Sequence, residues 1–253
     1  MVGAEPMSRV GDVDVGVLVL HGFTGNPSSM RPQAEALAAA GYHVELPRLP
    51  GHGTTIDDMI ATGWADWSRA ALASYDRLAA RCAHVVVAGL SMGGSLTLWT
   101  ALQRPDAVGI VCVNPATVPQ PPDVLEMLEE MLADGMSVVP GIGSDIADPD
   151  AVEIAYDGTP LKPLVSFQLD GLAPITARFG ELTAPLLLIT SRQDHVVEPG
   201  NSDHLAATHG GEVEHVWLDR SFHVATQDYD RDDITNRLLA FVERVAGAER
   251  IAS

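Results

Sequence analysis

The chain has little cysteine, few aromatic residues, a deficit of positive charge and no long apolar run. Its two cysteines, Cys82 and Cys112, are too few for a disulfide framework, and neither stands at metal-ligand spacing. Cys112 lies inside an apolar strand pattern, where a thiol behaves as a small buried hydrophobe. There is no H-E-x-x-H pair, no G-x-x-x-x-G-K-[ST] loop and no G-x-G-x-x-G after the first strand. Neither a metal nor a cofactor is therefore expected. Fifteen Lys and Arg against 34 Asp and Glu leave a net charge of −19. Such a surface repels nucleic acid and anionic lipid, so neither is an expected partner, and it disfavours an anionic substrate. No stretch approaches the roughly 18 apolar residues of a membrane span. Met1 to Pro6 carries neither the charged nor the apolar region of a signal peptide, so a cytoplasmic location is expected.

What is present is an Ala/Val/Leu-rich chain, 46% hydrophobic but only 5% aromatic, of a length that suits one α/β domain over 1–253. Apolar runs at 15–20, 42–47, 84–88, 108–113, 185–190 and 212–218 read as strands. The first is apolar on both faces, as a central parallel strand covered by helices must be. Helical patterns at 31–40, 64–82, 95–102, 201–208 and 232–246 alternate with them. Strand, helix, strand, helix with short loops predicts a doubly wound, mostly parallel sheet, whose ligands bind beyond the strands' carboxyl ends. About 70 residues separate the strand at 108–113 from the next, where a crossover needs only about 10–12. The surplus predicts a small cap inserted over that edge at 114–159. Within it, 123–135 sets Val124, Met127, Leu128, Met131 and Leu132 on one helical face. That face either packs onto the domain or lines a pocket, where methionines would suit an acyl chain.

The chain is organised around Gly89-Leu90-Ser91-Met92-Gly93. Between a strand and a helix, G-x-S-x-G is a nucleophile elbow: the turn leaves no room for side chains at its glycines and lifts the serine hydroxyl clear of the sheet. A serine hydroxyl needs an imidazole to take its proton, and the imidazole needs a carboxylate to orient it. In an α/β-hydrolase fold these follow in the order serine, acid, histidine, each after a strand. Of nine histidines, only His223 follows the last strand. His21 and His52 sit in loops at the right edge but precede the serine, and His195 is expected to point elsewhere. For the acid, Asp194 follows the strand at 185–190, with Asp219 and Asp170 as competitors. The oxyanion of the tetrahedral intermediate needs two N–H donors. Met92, after the nucleophile at a helix N-terminus, and Phe23, after the first strand, are placed to supply them.

Three motifs, Leu20-His21-Gly22-Phe23-Thr24-Gly25-Asn26, Pro47-Arg48-Leu49-Pro50-Gly51-His52-Gly53 and Gly89-Leu90-Ser91-Met92-Gly93-Gly94, resemble those of bacterial monoacylglycerol lipases and related carboxylesterases. The resemblance continues through Ile142-Gly143-Ser144-Asp145, 156–160, Asp194-His195-Val196-Val197 and 221–229, nearly the whole chain. It puts the family's triad on Ser91, Asp194 and His223 and its oxyanion donors on Phe23 and Met92. It further implies a small cap, with Glu153 at the glycerol hydroxyls and Ile142 among the substrate contacts. The residues before Gly141, 119–139, depart from the family's pattern. The activity so implied is hydrolysis of a monoacylglycerol through an acyl-serine. Simple short- and medium-chain esters are the alternative substrates, and acyl transfer is the alternative fate of the acyl-enzyme.

Overall fold

Successive residues of a strand face opposite sides of its sheet, and the strands here are apolar on both. In the computed structural model, which describes residues 1–141 and 143–252 with side-chain surroundings through Gly247, both faces are covered. The chain runs β1 (Met7–Arg9), β2 (Val15–Leu20), α1 (Arg31–Ala39), β3 (His43–Leu46), α2 (Ile56–Ile60), α3 (Trp64–Ala79), β4 (His84–Leu90), α4 (Met92–Gln103) and β5 (Gly109–Val113). It continues through α5 (Pro122–Ala133), β6 (Val138–Pro140), β7 (Gly158–Pro160), α6 (Leu161–Ser166) and α7 (Ala173–Ile175). Last come β8 (Leu186–Ser191), α8 (Gly200–Thr208), β9 (Val213–Leu218) and α9 (Arg231–Ala252).

Seven strands form one sheet in the order β1-β3-β2-β4-β5-β8-β9. All neighbours are parallel except β1, which runs antiparallel along the edge of β3. The alternation within β4 divides the core. Val86, Ala88 and Leu90 join Leu37 of α1 and Ile234, Leu238 and Phe241 of α9 on one face. Val85 and Val87 join Trp67, Tyr75 and Leu78 of α3 and Leu96 of α4 on the other. β8 repeats the division, with Leu186 and Leu188 packing with Leu98 of α4 and Leu205 of α8. Cys82 and Cys112 are both buried free thiols.

Between β5 and β8 the chain leaves the sheet. It forms α5, the antiparallel β6–β7 ribbon and a helical stretch in which π-type turns over Phe167–Leu172 join α6 to α7. This excursion stands at the carboxyl ends of the strands, where the loops after β2, β4, β8 and β9 also converge on one cavity. No described helix is long and apolar enough to cross a membrane.

Candidate active site

Ser91 is the hinge between β4 and α4, with φ 57° and ψ −122°. This is a costly backbone for a residue with a Cβ, and it persists because the surroundings over-determine it. A Cβ on Gly89 would lie 2.2 Å from the Gly93 carbonyl oxygen, and one on Gly93 would lie 2.2 Å from that of Leu20. The serine is locked at both sides: its N–H donates to Val113 O at 3.0 Å, and its carbonyl accepts from Gly94 N–H at 2.8 Å. The loop after β2 runs directly past it, since a Cβ on Gly22 would stand 3.3 Å from the Ser91 Cβ. That approach brings Phe23 beside the serine. Met92 opens α4, where the first N–H groups of a helix have no intrahelical partner.

The loops after β8 and β9 bring the acid and the imidazole together. His223 Nδ1 stands 2.8 Å from Asp194 Oδ2, with side-chain exposures of 8% and 1%. Asp194 is itself fixed, because its Oδ1 accepts from Val196 N–H at 2.9 Å and Val197 N–H at 2.8 Å. With the carboxylate facing Nδ1, that nitrogen is the donor of the pair and Nε2 is left without a partner among the described residues. His223 and Ser91 line the same cavity, although among the described residues Ser91 Oγ forms no hydrogen bond. Such contacts commonly tighten only around substrate. The competing groups are occupied elsewhere. Asp219, 78% exposed, pairs with Arg192; Asp170 accepts from Ser166 Oγ; the His195 ring faces Asp145 Oδ1 at 2.8 Å.

Under the Phe23 loop lies a neutral, aromatic layer. The Phe23 ring packs on Trp67, Phe167 and His52 at centroid distances of 5.9, 6.2 and 6.5 Å. His21 Nε2 accepts from Leu49 N–H at 3.2 Å, so Nδ1 carries the proton and donates to Gly22 O at 3.0 Å. Burial pushes the His21 pKa down to about 3, helped by the neighbouring His52, and burial alone brings His52 to about 4. Both rings are therefore uncharged at neutral pH and serve as hydrogen-bonded packing for the loop.

The cavity above Ser91 has a volume of about 630 Å³, the size of a small-molecule site. Its walls are mostly apolar, with Leu90, Val124, Leu128, Phe167, Leu172 and Val197 among them. The open question about α5 has a divided answer. Val124 and Leu128 face the cavity, whereas Met127 is 50% exposed. Glu153 also lines the cavity, half-buried and with no hydrogen bond among the described residues. Burial raises its pKa; the His223 ring opposes that shift and the Asp145 charge adds to it. Ile142 lies outside the described residues.

A family model for serine aminopeptidase, S33 (Hydrolase_4) matches residues 11–230. The chain belongs to that family. It is 44% identical over 249 residues to a thermostable monoacylglycerol lipase of Bacillus sp. (strain H-257), covering 97% of this chain and 96% of the relative. It is 25% identical over 234 residues to a carboxylesterase of Bacillus subtilis (strain 168), covering 92% and 94%. Among solved structures, one from work on the metagenome-derived lipolytic enzymes LipS and LipT superposes with a TM-score of 0.90 at 42% identity, covering 96% of this chain and 99% of the other. The α/β-hydrolase fold expected from the strand pattern is thus the fold of its relatives.

Three polar residues of this S33-family chain had no signal in the sequence pattern, yet they hold the histidine loop. Asn114, at φ 45°, donates through Nδ2 to His223 O at 2.8 Å and to Ser191 Oγ at 3.0 Å. Asp228 is fully buried and accepts four backbone N–H groups, from Phe222, Tyr229, Ala147 and Asp148, at 2.8–3.0 Å. Asp145 reaches the loops of both Asp194 and His223. A clue in the sequence was the Ile142-Gly143-Ser144-Asp145 resemblance, which carried no statement of what the aspartate does.

Proposed function

We propose that the chain hydrolyses monoacylglycerols through an acyl-serine intermediate, with Ser91 as nucleophile, His223 as general base and acid, and Asp194 as its orienting carboxylate. The observation that carries this is the 2.8 Å His223–Asp194 bond beside a serine held at φ 57° on the same cavity. Ser91 Oγ attacks the ester carbonyl as His223 Nε2 takes its proton. The N–H groups of Phe23 and Met92 receive the oxyanion, with the Met92 donor aided by the α4 dipole. Collapse expels glycerol, which takes the proton from His223. Water, deprotonated by the same ring, then releases the fatty acid. Glu153 receives the glycerol hydroxyls, and Ile142 is counted among the substrate contacts. The apolar wall of Val124, Leu128 and Phe167 takes the acyl chain, so the segment 114–159 acts as the cap.

The cavity's acidic lining residues are Asp145, Glu153 and Glu198, with no Lys or Arg among those described. A neutral ester fits this lining, and the fatty-acid anion is disfavoured once formed. The 44% identical lipase supports the glycerol ester as substrate. The carboxylesterase relative favours simple esters as the second reading. Cytoplasmic residence is part of the proposal and is checked by cell fractionation.

The test is kinetic. Ser91→Ala should lose at least ~10⁴-fold in turnover and all labelling by a fluorophosphonate. Labelling that persists would remove Ser91 from the role. Glu153→Ala should lower kcat/KM for monoacylglycerols roughly tenfold or more, the worth of hydrogen bonds to a charged group, and spare p-nitrophenyl esters. Equal losses on both would favour the simple-ester reading.

A further inference from the structure

Both polar ends of the His223 backbone are held by side chains. Its carbonyl accepts from Asn114 at the end of β5, and its N–H donates to Asp145 Oδ2 at 3.0 Å. The same Oδ2 accepts the N–H of His195 at 3.1 Å, the residue directly after Asp194. Asp145 Oδ1 faces His195 Nδ1 at 2.8 Å, and its carbonyl takes Val224 N–H at 3.1 Å. Its side chain is 12% exposed. One residue of the excursion therefore spans the two loops, after β8 and after β9, that carry the acid and the base.

We propose that Asp145 is a positioning residue for the base: its single oxygen, shared between the amides of His223 and His195, sets the spacing of the two loops across which the His223–Asp194 bond must form. The inference rests on the proposed roles of His223 and Asp194. The loops leave adjacent parallel strands and are tied nearer those strands by Ser191 Oγ to Phe222 O and by Arg192 to Asp219, but among the described residues only Asp145 accepts the amides of both His223 and the residue next to Asp194. Two backbone N–H groups meeting on one carboxylate oxygen make the spacing a fixed dimension, and near 1 Å of misplacement at a general base is worth about a hundredfold in rate. Asp145 also lines the cavity, but the oxygen of the staple is engaged by the two backbone amides, so its loss is read in kcat more than in KM.

The experiment uses the full chain and a soluble p-nitrophenyl butyrate substrate. Asp145→Ala is expected to lower kcat about 10- to 100-fold with KM within about threefold of wild type. Asp145→Asn is expected to restore kcat to within about threefold of wild type. Its carbonyl oxygen can take both amides, while its NH₂ donates to an unprotonated His195 Nδ1. His195→Ala keeps the backbone N–H and should also stay within about threefold. An alanine variant with kcat within threefold of wild type overturns the proposal, and so does an asparagine variant as slow as alanine. If Asp145→Ala does not fold, Asp145→Ser is read instead. By proton NMR the downfield His223 Nδ1–H resonance should be present in wild type and Asp145→Asn and broadened away in Asp145→Ser. A sharp, unchanged resonance in Asp145→Ser overturns the proposal. His223→Ala on the same ester separates the two readings. If it retains activity, the base assignment fails; if it is dead while Asp145→Ala is normal, only the staple fails.

Discussion

The excursion between β5 and β8 has two arms that differ in what holds them. The first, 115–136, carries α5; it reaches the body through Thr117 and Val118 to Asn201, and the helical stretch of the excursion itself through Gln120 N–H to Gln168 Oε1. Its helix has only Leu128 fully buried and leaves Met127 in solvent. The second, 145–156, has almost no regular structure but is bonded to four loops of the sheet edge, those after β2, β3, β8 and β9. Asp145 holds the loops of Asp194 and His223, and Asp228 accepts Ala147 and Asp148 N–H. Asn26 donates to Ile154 O, Thr24 O accepts Tyr156 N–H at 3.2 Å, and Tyr156 Oη donates to Gly51 O at 2.7 Å. Regular secondary structure and rigidity of attachment are thus separated in this protein. The helical arm supplies apolar wall, and the irregular arm supplies fixed geometry.

Acid should stress the irregular arm's supports most, because Tyr156 anchors on Gly51, beside His52. His21 and His52 have folded pKa values near 3 and 4, below the unfolded value near 6.5. Between those limits the unfolded chain binds the extra protons, so stability is full above about pH 6.5 and falls as pH drops toward 4. The limiting slope is roughly 1.4 kcal/mol per pH unit for each histidine. Unfolding free energies measured from pH 7 to pH 4 should fall by several kcal/mol in all; a flat profile above pH 5 would contradict the burial of these rings in neutral form. Asp228→Ala comes next. It strips the buried acceptor from four backbone N–H groups and should cost on the order of 3 kcal/mol in denaturant unfolding, with loss of activity. A cost below about 1 kcal/mol would mean the second arm does not depend on that carboxylate. The smallest effect belongs to the helical arm. Leu128→Ala removes cavity wall, not sheet core. It should change stability by about 1 kcal/mol or less while lowering kcat/KM several-fold for long-chain esters, given ~0.8 kcal/mol per buried CH₂. Short-chain esters should be unaffected, and equal losses at all chain lengths would place the acyl chain elsewhere.

The sheet was legible because its signal is local. Valine and leucine runs bounded by glycine turns give β2, β4, β5 and β8, and shortfalls at their ends amount to one or two residues. β1 was not legible: Met7-Ser8-Arg9 has no apolar alternation and becomes a strand by pairing with β3, where Ser8 Oγ donates to Glu45 at 2.7 Å. The helical stretch from Leu161 to Ile175 was likewise unread, since Pro163, Gly171 and Pro174 interrupt its pattern and π-type turns carry it past them. For the site, placement at a strand end together with chain order singled out His223 among nine histidines and Asp194 over Asp219. The structure leaves Asp219 78% exposed and paired with Arg192.

By itself, then, the sequence determined the mostly parallel sheet, the turn at Ser91 between a strand and a helix, and the order in which Ser91, Asp194 and His223 follow their strands. All three follow from periods of two and 3.6 residues and from glycines a few positions apart. Only the tertiary structure decided which carboxylates hold the histidine loop, where the His195 ring turns, and which face of α5 meets the cavity. The physical reason is distance along the chain: Asp145 meets His195 and His223 across 50 and 78 residues. A lone aspartate in a loop is a solvated charge until folding brings amides to it. The hydrogen bonds that make Asp145 and Asp228 matter exist only once the loops are closed around them.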